Sequence, residues 1–129
     1  MSEPGDVSTL AQLERDLGVR LPAEYWNGLA AHERLLLAGP GEGEEIWLFP
    51  VPELPGINAA AQLPSRLPGL VIIGTDGSRE MLALDGRSQP SPVVLADIVF
   101  SRWEDTIWQA PDLTTFLHEY PQKGLRWTQ

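Results

Sequence analysis

Residues 72–86 read IIGTDGSREMLALDG, and this stretch decides the fold. Two runs of strand-forming residues flank Asp76–Arg79, in which the pair Asp-Gly is typical of a tight turn. The pattern predicts a β-hairpin in which the strand Leu70–Thr75 pairs with the strand Glu80–Asp85. We therefore expect the centre of the chain to be an antiparallel sheet.

Two amphipathic helices are predicted before this hairpin. Thr9 and Gln12 form a capping box at the start of the first helix, and Gly18 provides a stop at its end. Pro22 suits the first position of the second helix, which Gly39-Pro40-Gly41 ends. Apolar residues recur at helical spacing on one face of each helix, namely Leu10, Leu13 and Leu17 in the first and Tyr25, Leu29 and Leu36 in the second.

The remaining segments favour strands and a final helix. Glu45–Phe49 has strand-forming residues, and the Pro-rich stretch of residues 51–69 indicates a loop with one helical turn at Ile57–Gln62. After the hairpin, Pro92–Ala96 predicts a strand and Asp105–Trp108 an edge strand. Asp112 is a good N-cap for a last helix, which Pro121 should end. The apolar stripe of that helix consists of Leu113, Phe116, Leu117 and Tyr120.

This order of elements predicts one α+β domain spanning residues 1–129. Its sheet should be twisted and mostly antiparallel, with helices packed on one face and elements in the order α-α-β-β-β-β-α. The residues expected to be buried are Leu10, Leu13, Tyr25, Leu29, Ile72, Leu84, Phe116 and Leu117.

Composition narrows the class of protein. The chain has 129 residues, 43% of them hydrophobic, and no cysteine, which excludes disulfides and thiolate chemistry and suits a reducing compartment. Its longest apolar runs are far shorter than the ~20 residues of a membrane span. We expect a folded cytoplasmic protein with no membrane partner.

Charge indicates the kind of partner. Eighteen acids oppose nine Lys and Arg, for a net charge of −9, and residues 1–60 alone hold ten acids against three arginines. Such a surface repels the phosphates of nucleic acids. The charge has two readings, which are simple solubility or attraction of a basic partner.

No pattern of catalytic, cofactor-binding or metal-binding residues emerges. In the predicted hairpin Thr75 faces Glu80 and Leu70 faces Asp85, so the two acids lie ~16 Å apart on opposite faces, too far for a glycosidase pair. Asp76 is explained by turn chemistry. His32 and His118 lack catalytic neighbours in the sequence, and GPGEGEE at residues 39–45 lacks the Lys of a phosphate-binding loop. We expect no enzymatic activity, cofactor or metal.

The five tryptophans are numerous for a domain of this size. Trp26 and Trp108 are expected in the core. Trp47 and Trp103 lie among charged residues, as do interface hot spots, although half-buried packing is the alternative.

Several segments together resemble the SUKH superfamily, the class of the yeast cell-wall assembly regulator (Smi/Knr-type) and of many bacterial immunity proteins. The most specific are Leu21-Pro22 with Tyr25, the Ile-Gly-x-Asp-Gly of Ile73–Gly77, and the start of the last helix at Ala110–Leu117. ERDLGVRLPAEYWNGLA, EEIWLFP and SPVVLAD also fit, so that the resemblance covers nearly the whole chain. A departure is the segment Gly39–Gly43, where family members often have an Asn-Gly turn.

The resemblance implies a non-catalytic immunity protein that binds and neutralises a cognate basic protein toxin of a contact-dependent or polymorphic toxin system. Family toxins are often nucleases. One alternative is a regulatory scaffold for an endogenous protein, as in the eukaryotic relatives. Another is a hydrolase whose site would need several acids to converge in one cleft, chosen from Asp76, Glu80, Asp97 and Asp105.

The partner-binding surface is predicted in the more acidic half of the chain, around one tryptophan. Its acids would steer a basic partner and its aromatic ring would anchor it. The six residues of this hypothesis are Glu42, Glu44, Glu45, Trp47, Glu53 and Asp76.

Overall fold

The computed structural model describes residues 12, 14–18, 34–60, 67–78, 80–97 and 102–127. The predictions for Leu10, Leu13, Tyr25 and Leu29, and for Trp26 and His32, lie outside these residues. Residues 12 and 14–17 are helical, as expected. Gly18 ends this turn at a positive φ of 79°, and its N–H donates to the carbonyl of Glu14 at 2.8 Å.

In the described residues, six antiparallel strands form one sheet in which each strand pairs with the next along the chain. The α+β class with an antiparallel sheet is thus confirmed. The strands are β1 (Leu35–Ala38), β2 (Glu45–Leu48), β3 (Leu70–Thr75), β4 (Glu80–Asp85), β5 (Val93–Asp97) and β6 (Ile107–Ala110).

Strand β1 corrects the predicted end of the second helix. Residues 35–38 alternate between half-buried and exposed and pair with β2, so that Leu36 lies opposite Trp47 and is 52% exposed. Gly39-Pro40-Gly41, expected to end a helix, belongs to the connection between two strands, where the Gly39 N–H donates to the carbonyl of Glu44 at 2.7 Å. A short run of leucines does not distinguish a helix from a strand, and strand pairing decided here.

The central hairpin forms where the sequence predicts it. Leu70 pairs with Asp85 as expected, but Thr75 pairs with Met81 instead of Glu80, because the register shifts between Ile72 and Gly74. One extra residue on β3 therefore bulges out of the ladder. The Asp-Gly turn is confirmed as turn chemistry, since Asp76 Oδ1 accepts from the N–H and the hydroxyl of Ser78.

Both faces of the sheet are buried. The first face packs against the C-terminal helix Leu113–Lys123, through Ile46, Leu48, Val71, Ile73, Leu82, Leu84, Val93 and Leu95. The second face carries Leu67, Leu70, Ile72, Ala83, Val94 and Ala96, with Ile57 of the helix Leu54–Ala60 and Trp103 against it. Helices therefore pack on both faces, and the prediction that they pack on one face is wrong. The burial of Ile72, Leu84, Phe116 and Leu117 is confirmed.

The C-terminal helix begins as predicted and ends later. Asp112 Oδ1 accepts from the Thr115 N–H at 2.7 Å, which confirms the N-cap. Pro121 does not stop the helix, which continues to Lys123. Proline lacks an N–H but its fixed φ is compatible with a helix, and the last turn closes when the Gly124 N–H donates to the carbonyl of Tyr120 at 2.8 Å. In the described part of the chain, no helix is long and apolar enough to cross a membrane.

Two further expectations are corrected. The helical turn predicted at Ile57–Gln62 begins earlier, as the helix Leu54–Ala60. Trp108, expected in the core, is 47% exposed because it lies on the edge strand β6, where the Arg126 guanidinium stacks 5.5 Å from its ring centroid.

Candidate functional site

Acidic residues gather at one end of the sheet. Strands β2 and β3 are antiparallel, with Trp47 opposite Thr75, so the start of β2 lies beside the end of β3. Glu45, the first residue of β2, and Asp76, which follows β3, are therefore neighbours at this end. The β1–β2 connection adds Glu42, which is exposed, and Glu44. We call these four residues (Glu42, Glu44, Glu45 and Asp76) the acidic end.

The carboxylate of Glu44 lies against three glycines. A methyl group on Gly39 or on Gly124 would overlap its carboxylate, and one on Gly41 would lie 3.1 Å from Glu44 Oε1. Gly124 caps the C-terminal helix. The Glu44 carboxylate thus lies at the end of that helix, although the two are about 80 residues apart in the sequence.

Tyr120 lies beneath the acidic end. Its side chain is 1% exposed and its ring stacks on Phe116 with centroids 5.5 Å apart. Its hydroxyl is buried, with no hydrogen-bond partner in the described part of the chain. Burial first, and then the negative charges of Glu44, Glu45 and Asp76, raise the pKa of Tyr120 from 10.0 to about 12. Three of the four acids therefore act on one buried hydroxyl.

The other two residues of the predicted surface lie apart from this hydroxyl. Trp47 is half-buried on the sheet face that it shares with Glu45, and the Arg34 guanidinium stacks 5.5 Å from its ring centroid. Glu53 is exposed in the 3-10 turn beyond the other end of β2. The structure thus brings together Glu42, Glu44, Glu45 and Asp76, places Trp47 beside them and leaves Glu53 distant.

A pocket of about 140 Å³ is lined by Tyr120 and by Gly124, against which the Glu44 carboxylate lies. Its charged residues are engaged with one another or with neighbours. Lys123 Nζ lies 3.1 Å from Glu119 Oε2, and Arg126 stacks on Trp108. Both cations that line the pocket, Lys123 and Arg126, therefore have other partners.

The other acids considered in the sequence analysis lie elsewhere in the described fold. Glu80 lies opposite Asp97 across β4 and β5. Asp105 lies outside the sheet, where a hydrogen bond from Arg102 lowers the pKa of its carboxyl group. In the ranges that the structure describes, no three His, Cys, Asp or Glu side chains are grouped so that they could hold a metal ion. His118 is exposed on the C-terminal helix.

The sequence analysis did not identify Tyr120 as a candidate site residue. It placed Tyr120 last in the apolar stripe of the C-terminal helix, and the buried ring agrees with that prediction. Its hydroxyl was the available signal, because a phenol at a buried position needs a partner. The connection to Glu44 depends on a contact across the fold that no local pattern records.

Comparison with known proteins adds no relative. The chain matches no protein-family model and no curated protein.

Proposed function

We propose that this chain is a non-catalytic immunity protein that binds a cognate basic protein toxin through its acidic end and neutralises it. The observation that carries the proposal is the gathering of Glu42, Glu44, Glu45 and Asp76 at one end of the sheet, where the charges of three of them raise the pKa of the buried Tyr120. Carboxylates that share one small region attract a positively charged surface more strongly than the same charges spread over a sphere. The resemblance to the SUKH superfamily supports the same class of partner.

The position of the acids suits a protein partner better than a small ligand. Glu42 and Glu45 are exposed on a connection and a strand end, from which they can meet another surface. Glu44 and Asp76 are half-buried behind them. A rim of exposed charge speeds encounter with an oppositely charged protein, and partly buried charges then add to specificity.

A second candidate is a regulatory scaffold for an endogenous protein. The observation that favours it is a separate aromatic surface, since Trp108 and Trp127 are 47% and 55% exposed, with Arg126 on the ring of Trp108. Trp and Arg are the residues most enriched in binding hot spots. A toxin gene next to the gene for this chain favours immunity, and its absence favours the scaffold.

The experiment identifies the gene beside that of this chain and, where it encodes a basic toxin domain, uses that domain in a protection assay. Cells producing that domain should survive when they also produce the wild-type chain. The variant Glu42→Lys with Glu45→Lys should protect poorly, because both exposed acids then repel a basic partner. The control Glu53→Lys with Glu104→Lys changes the net charge by the same amount at exposed positions outside the acidic end and should protect fully. Equal protection by both variants would contradict the proposed surface.

A further inference from the structure

The Tyr120 hydroxyl is a polar group whose partner is missing from the described residues. A buried hydroxyl without a hydrogen bond is costly, and native proteins rarely keep one without a reason. A hydroxyl can donate one hydrogen bond and accept two. The charges that act on the Tyr120 hydroxyl are carboxylates. A carboxylate can accept a hydrogen bond from the hydroxyl but cannot donate one to its oxygen. The oxygen lone pairs therefore call for a donor from outside.

The backbone beside this hydroxyl also favours a cation. Gly124 marks the C-terminal end of an 11-residue helix, and the Glu44 carboxylate lies against it. The last carbonyl groups of a helix carry partial negative charge, so a carboxylate there is unfavourable and a cation is favourable. Glu44 and the helix end thus place negative charge together, and Asp76 adds its charge to the surroundings of Tyr120.

Three described cations, Lys123, Arg126 and Arg34, have other contacts. Lys123 pairs with Glu119, and Arg126 stacks on Trp108. The Arg34 guanidinium lies over the rings of Trp47 and Phe49, on the second face of the sheet. The charges that shift the pKa of Tyr120 are those of Glu44, Glu45 and Asp76.

We propose that the acidic end is a subsite for one arginine side chain of the protein partner, with its guanidinium between Glu44 and Asp76 and one N–H donated to the Tyr120 oxygen. This inference rests on the proposed function and names the group that is recognised. An arginine offers five N–H donors in a rigid plane, which can serve two carboxylates and a hydroxyl together, whereas a lysine ammonium offers three from a single point.

Access requires only a local change. The hydroxyl is buried, and in the proposed complex the Glu44 side chain turns aside to admit the guanidinium. Gly39, Gly41 and Gly124 lie against its carboxylate and have no side chains to obstruct that rotation.

The test is an NMR titration of the protein with the blocked tripeptide Gly-Arg-Gly, compared with the same peptide carrying citrulline. Citrulline has the shape of arginine without its charge. We expect the arginine peptide to shift the amide signals of residues 39–45, 76–77 and 120–124, and the citrulline peptide to leave them unchanged. Tyr120→Phe and Glu44→Gln should each weaken binding by roughly threefold to tenfold, the value of one lost hydrogen bond. Glu53→Gln, at an exposed and distant acid, should not weaken it.

Two results would overturn the subsite. One is an equal response to the arginine and citrulline peptides, or shifts confined to other residues. The other is unchanged affinity in Tyr120→Phe, which removes the hydroxyl and keeps the ring. The failure of the subsite differs from the failure of the proposed function. If Glu42→Lys with Glu45→Lys abolishes toxin binding while Tyr120→Phe does not affect it, the toxin-binding face stands and the arginine subsite is wrong.

Discussion

The side-chain amide of Asn58 takes the place of a strand residue beside Ile72. Its Nδ2 donates to the Ile72 carbonyl at 3.0 Å, and its Oδ1 accepts from the Ile72 N–H at 2.7 Å. Strand β2 ends alongside Ile73, where the Phe49 N–H makes the last backbone bond to β3. Asn58 thus continues the ladder and joins the helix Leu54–Ala60 to the sheet.

Replacing Asn58 by Leu should destabilise the fold. Ile72 is 1% exposed, so its N–H and carbonyl would both be left buried without partners. We expect a loss of about 2–4 kcal/mol in the free energy of unfolding, measured by urea denaturation. Gln122→Leu, at an exposed position of the C-terminal helix, is the control and should change stability little. An Asn58→Leu protein as stable as the wild type would show that this amide does not hold the helix to β3.

A pair of glycine substitutions tests the β2–β3 contact. A methyl group on Gly74 would overlap the backbone oxygen of Trp47 and lie 3.0 Å from Leu48 Cδ2, so Gly74→Ala must separate two strands. We expect a loss of at least about 2 kcal/mol. Gly56 lies in a helix with nothing within 4 Å of the added methyl, so Gly56→Ala should be neutral or stabilising by about 0.5–1 kcal/mol. Thermal melts of both variants would decide, and similar melting temperatures would contradict the close approach.

Alkaline pH should reveal the surroundings of Tyr120. Its pKa is raised from 10.0 to about 12, first by burial and then by the nearby carboxylates. The folded state holds this proton more tightly than the unfolded chain does. Its contribution to stability is therefore complete below pH 10 and is lost as the pH rises through 12.

Tyr120→Phe removes the titrating group and keeps the ring. Between pH 10 and 12 the free energy of unfolding should fall more steeply in the wild type than in this variant. At pH 7 the variant should be no less stable, because the hydroxyl has no partner in the described residues. Unfolding curves across this range provide the measurement, and parallel slopes for the two proteins would refute the raised pKa.

The sequence predicts those parts of the fold that depend on residues close together in the chain. The hairpin of β3 and β4 and the Asp112 cap follow from turn and capping chemistry within a few residues. Strand β1 and the bulge near Ile73 do not, because pairing with a neighbouring strand determines both. The acids of the candidate site were visible in the sequence. Their relation to Tyr120 was not visible, since it arises where the β1–β2 connection meets the end of the C-terminal helix.

Trp47 tests the aromatic part of the proposed surface. It is half-buried, on the same face as Glu45 and with Arg34 over its ring. Truncating a central interface aromatic costs ~2 kcal/mol or more, mainly through faster dissociation. We expect Trp47→Ala to speed release of the toxin domain in a surface-binding assay. A thermal melt must show that the variant is folded, and an unchanged dissociation rate in a folded variant would remove Trp47 from the surface.

The central claim is that the acidic end attracts a basic protein, and association kinetics test it most directly. Binding of the toxin domain used in the protection assay should be followed at low and at high ionic strength. At low ionic strength, Glu42→Lys with Glu45→Lys should slow association by about tenfold or more, and the charge-matched control Glu53→Lys with Glu104→Lys should slow it much less. High salt should reduce the difference, because screening acts over ~8 to 10 Å. Unchanged association of the folded double variant at low ionic strength would contradict the claim and leave the acids as solubilising charge.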